Sequence, residues 1–89
     1  MKYKKYRVYL YSRAGSYAVA ASNTVNDLVS LTKYWLDRTS AGMYLPEESN
    51  GTIAIHVLDE TTGAYKAGKG LPFKDKDDII TQLRKMGAR

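Results

Sequence analysis

Two stretches of this chain alternate side-chain character residue by residue, a pattern that matches the pleat of a β-strand. In the first, Tyr6, Val8 and Leu10 fall on one side while Arg7, Tyr9, Tyr11 and Arg13 fall on the other. In the second, Ile53, Ile55 and Val57 oppose Ala54, His56 and Leu58. A glycine-bearing turn follows each run: Ala14-Gly15-Ser16 after the first and Asp59-Glu60-Thr61-Thr62-Gly63 after the second. The segments 17–22 and 64–69 then read as the returning strands of two hairpins, the latter weakened by Gly68 and Gly70.

Behind each hairpin the period changes from two to that of a helix. Val25, Leu28, Leu31, Thr32, Trp35 and Leu36 recur at spacings of three and four, which predicts a helix over about 25–39. Thr24 and Asp27 form a variant capping box at its start, and Gly42 is a candidate stop. Ile79, Ile80, Leu83 and Met86 form a second stripe, with Asp75 as cap. Acidic residues at its start and Arg84, Lys85 and Arg89 at its end complement the helix dipole. Residues 40–51 form a loop.

The expected architecture is an α+β two-layer sandwich of order ββαββα. It has a four-stranded antiparallel sheet with two helices on one face. The 89 residues suffice for one domain, 1–89, built of two ββα halves at about 3–42 and 52–89. Gly15 and Gly63, Tyr17 and Tyr65, and Asp27 and Asp78 are candidate equivalents in an internal repeat. The core is expected to hold Tyr6, Val8, Leu10, Leu28, Leu31, Trp35, Ile53, Ile55, Val57, Ile79, Ile80 and Leu83. The second sheet face is then left open.

Little in the sequence points to catalysis. With no cysteine there is no disulfide, thiolate nucleophile or cysteine zinc site. His56 is the single histidine, and no nucleophile or orienting group stands at a known spacing from it. Glu47, Glu48, Asp59 and Glu60 fall in loops, where carboxylates are ordinarily solvated. The run Gly63-Ala64-Tyr65-Lys66-Ala67-Gly68-Lys69-Gly70 nearly matches a phosphate-binding P-loop. However, Gly70 stands where Ser or Thr would hold magnesium, and Leu71-Pro72 follows where a helix should begin. A loop that touches a phosphate without hydrolysing it stays open. We therefore expect no enzyme activity, no cofactor and no metal.

Two features point to binding. The formal net charge is +5 with a pI near 9.5, which favours anionic partners. There are 8 tyrosines against 1 phenylalanine and 1 tryptophan, and a tyrosine hydroxyl needs a wet or polar neighbour. Rings and guanidinium groups on an open sheet suit base stacking and phosphate contact. They also suit a protein interface, and cross-strand tyrosine pairs can simply stabilise a sheet. The candidate contact residues are Arg7, Tyr9, Tyr11, Arg13, His56, Lys66 and Lys69. The expected function is a non-enzymatic binding module that docks on nucleic acid or a nucleoprotein complex. The alternative is a protein–protein module with an acidic partner surface, such as a small inhibitor or accessory protein of a phage or mobile element. A homodimer stays open. No apolar run approaches the ~20 residues of a membrane span, so no membrane partner is expected. The basic N-terminus lacks an apolar stretch of the signal-peptide kind, so the expected location is cytoplasmic.

Overall fold

A computed structural model describes residues 4–12, 15–38 and 50–87. The chain forms β1 (Tyr6–Ser12), β2 (Gly15–Ser22), a 3-10 turn (Val25–Asp27), α1 (Leu28–Asp37), β3 (Gly51–Asp59), β4 (Ala64–Phe73) and α2 (Asp78–Lys85). The strands make one antiparallel sheet in the order β2-β1-β3-β4, so the two hairpins join through β1 and β3. The ββαββα α+β fold read from the alternation is the fold observed.

The central pairing sets the two faces. β1 and β3 run through seven uninterrupted pairs, with Val8 opposite Ile55, Leu10 opposite Ile53 and Arg7 opposite His56. Directly opposed residues in an antiparallel pair share a face. Val8, Leu10 and Ile53 therefore lie on one side, and they are fully buried with Leu28 of α1 and Ile79 and Leu83 of α2. Both outer pairings carry a bulge, and in each the extra residue is on the edge strand. Val19 is inserted between the partners of Val8 and Tyr9, and Gly68-Lys69 stand against the single Ile55. At Gly68 a Cβ would approach the Ile55 carbonyl oxygen to 2.6 Å, so the bulge needs a residue without one.

Local chemistry fixes the ends of the elements. In the second hairpin the Asp59 carboxylate accepts the Thr61 N–H at 2.9 Å, and Gly63 turns the chain at φ 75°. Ahead of α2 the Asp75 carboxylate accepts the Asp78 N–H at 3.0 Å, the expected cap, and Asp78 in turn accepts the Lys74 N–H. The expected Thr24–Asp27 capping box does not form. The Thr24 hydroxyl donates to the Asp27 carboxylate at 3.1 Å instead of accepting a backbone N–H, and the helix opens with a 3-10 turn.

Several expectations are corrected. Leu31 and Val57, assigned to the core, are each 38% exposed. α1 instead buries Leu28, Val29, Thr32 and Leu36. Tyr6, Trp35, Ile55 and Ile80 are partly buried against the core, and Val19 and Phe73 join it. β4 continues past Lys69 to Phe73, because an edge strand tolerates Pro72 and its missing donor. Tyr17 and Tyr65 are not equivalent: Tyr17 opposes core-facing Leu10, whereas Tyr65 opposes Leu58 on the other face. Gly42 and most of the 40–51 loop lie outside the described residues.

Candidate functional site

The sheet face away from the helices carries Arg7, Tyr9 and Tyr11 from β1, Ala54 and His56 from β3, and Tyr65 from β4. No described helix covers it. His56 is nevertheless only 5% exposed, and its cover comes from its neighbours' side chains. The Tyr9 ring stacks on it with centroids 4.8 Å apart. The Tyr11 hydroxyl lies 2.9 Å from His56 Nε2, and Arg7 Nε–H donates to His56 Nδ1 at 3.4 Å.

These two bonds define the imidazole. Nδ1 accepts from Arg7, so in the neutral ring Nε2 carries the proton and donates to the Tyr11 oxygen. A second proton on Nδ1 would face the guanidinium. Burial first, and the Arg7 charge second, hold the His56 pKa below its ordinary value.

Arg7 organises the rest. Its guanidinium lies 4.0 Å from the Tyr65 ring centroid and 5.0 Å from that of Tyr9, reaching across β3 to do so. Tyr65 in turn donates its hydroxyl to the Lys4 carbonyl. The cluster therefore bridges three strands. Tyr65 was absent from the sequence-derived set. The signal for it was the hairpin register, since a four-residue loop after Asp59 sets Leu58 opposite Tyr65.

Two further candidate contact residues, Lys66 and Lys69, do not lie on this face. Lys66 opposes Val57 on the helix side and pairs with Asp59 at 3.2 Å. Lys69 borders a groove on that same side, with Lys85 and Met86. The Gly68 bulge and the strand register send both away from Tyr9. The near-P-loop segment is thus an edge strand that pairs with β3. Arg13 lies outside the described residues. Among the described residues no group of three or more His, Asp or Glu gathers as a metal site would. No helix among them is long and apolar enough to cross a membrane.

No protein-family model matches the chain, and no curated protein or solved structure matches it.

Proposed function

We propose that the protein is a non-enzymatic binding module whose Arg7–Tyr9–Tyr11–Tyr65 face docks on an anionic partner, with single-stranded nucleic acid as the leading class. One observation carries the reading. A guanidinium and three tyrosine rings gather on a sheet face that no described helix covers, in a chain of net charge +5. Rings on a sheet offer stacking platforms, and the guanidinium offers phosphate contact.

Fluorescence anisotropy with short single-stranded RNA and DNA over a salt series tests it. On a single strand, log affinity falls with log salt by about 0.7 for each phosphate contact. Arg7→Ala lowers the slope by about that amount, and Tyr11→Ala weakens binding by ~1–3 kcal/mol. An absence of oligonucleotide binding at low salt, or affinity indifferent to both substitutions, would overturn the proposal. A second reading, docking on an acidic protein surface, is favoured by one feature: His56 already pins the rings. Pre-ordered aromatic groups lose little entropy on binding and make good interface anchors.

A further inference from the structure

Among the described residues the helices do not cover the helix side of the sheet along its whole length. β3 has 9 residues and spans about 30 Å, whereas α2 has 8 residues and spans about 12 Å. Where α2 ends, a groove of about 470 Å³ opens over the sheet. Tyr6, Ile55, Val57 and Leu71 of the sheet line it, together with Val25 and Met86. This is why Val57, on the core face, stays exposed.

Two cations, Lys69 and Lys85, stand on the border of this apolar surface. They come from different elements, β4 and the last turn of α2. Among the described residues the ion pair within 4 Å is that of Lys66 with Asp59, so neither Lys69 nor Lys85 is neutralised at contact distance. Asp78, two helical turns back, feels the Lys85 charge without pairing with it. An apolar groove of this volume with a cationic border has the shape and charge of a small-ligand site.

We infer that this groove binds a small amphipathic anion, a carboxylate on an unbranched apolar tail. The tail lies on Ile55, Val57, Leu71 and Met86, and the carboxylate lies between the Lys69 and Lys85 ammonium groups. The site is on the opposite side of the sheet from the Tyr/Arg face and does not depend on that face's function.

Decanoate, kept below its micelle concentration, is the probe, followed by amide chemical shifts in two-dimensional NMR. Decanol, of equal tail length and no charge, is the control. Decanoate should shift the amides of Ile55, Val57, Leu71 and Met86 saturably. Decanol should bind about tenfold more weakly, and Lys69→Gln with Lys85→Gln should weaken decanoate by a similar factor. Both lysines are exposed, so the double variant keeps the fold, which its unliganded spectrum verifies. No saturable shift at millimolar decanoate would overturn the inference. So would equal binding of decanol and decanoate, or shifts centred on Tyr9 and Tyr11.

Discussion

Tyr9 and His56 stack within 13° of parallel although they are not cross-strand partners. The residue opposite Tyr9 is Ala54, which is small and buried. Its methyl leaves the ring free to lean diagonally onto the imidazole, and Tyr11 reaches past the same alanine to Nε2. Ala54 thus sets the geometry of the face without offering a polar group to it. A larger residue there should push Tyr9 off His56. Ala54→Leu is expected to lose about 1–3 kcal/mol through this crowding, and the His56 ring protons should lose the upfield shift that Tyr9 imposes.

The His56 environment predicts a pH dependence of stability. Folding lowers its pKa from 6.5, so below that pH the unfolded chain binds the extra proton. The stabilisation is complete above about pH 6.5 and is lost as pH falls toward the folded-state value. Asp59 and Asp78 are shifted in the same direction and with the same consequence for stability. Their pKa values lie below 3.8, chiefly through the backbone N–H groups of Thr61 and Lys74, so they lose stability only at lower pH. Denaturant melts between about pH 7.5 and pH 5 should fall with pH, and His56→Gln should flatten the curve.

Arg7 should be energetically coupled to Tyr65. A double-mutant cycle of Arg7→Ala and Tyr65→Ala is expected to give about 0.5–1 kcal/mol of coupling, the range of a half-exposed cation–π contact. Arg7→Lys should recover little of it, because an ammonium group has no planar fork to lie over Tyr65 and bond His56 together.

Core substitutions separate the buried positions from the misassigned ones. Leu10→Ala and Ile53→Ala should each cost about 2–5 kcal/mol. Leu31→Ala, at an exposed helix position, should stay within about 1 kcal/mol. Thermal or denaturant midpoints of the three variants test the assignment.

Thr32 is fully buried, and its hydroxyl has no hydrogen-bond partner among the described residues. Thr32→Val keeps the shape and removes an unsatisfied polar atom. It should raise stability by roughly 1 kcal/mol, read as a higher denaturation midpoint.

The fold was legible where one pattern had one explanation. In β1 and β3 the alternation admits a single inward face, and the pairing follows it. In α1 it does not. Leu28, Thr32 and Leu36 fix the inner line, but Val29 and Leu31 lie on opposite flanks of it. Both flanks are apolar, so periodicity cannot say which turns inward; packing on the sheet chooses Val29. The binding face was legible as Arg7, Tyr9 and Tyr11 because they share a parity. Lys66 falls on the helix side because the hairpin register sets it opposite Val57; Lys69 follows it because the bulge at Gly68 breaks parity along β4, and nothing local distinguishes a bulge glycine from a flexible one. The burial of His56 depends on side chains of the neighbouring strand β1, distant in sequence, which no local reading supplies.

The placement of the two bulges has an evolutionary corollary. Both inserted residues sit in the edge strands β2 and β4, and the β1–β3 pairing between them is unbroken. A one-residue insertion in β1 would exchange Val8 and Leu10 with Arg7 and Tyr9, turning core and contact face inside out at one stroke. In β2 or β4 the same event is absorbed as a kink. Lineages descended from this sequence should therefore vary in length along the outer strands and hold the inner two to fixed length. The chemistry of either face can then drift while the frame that separates them does not.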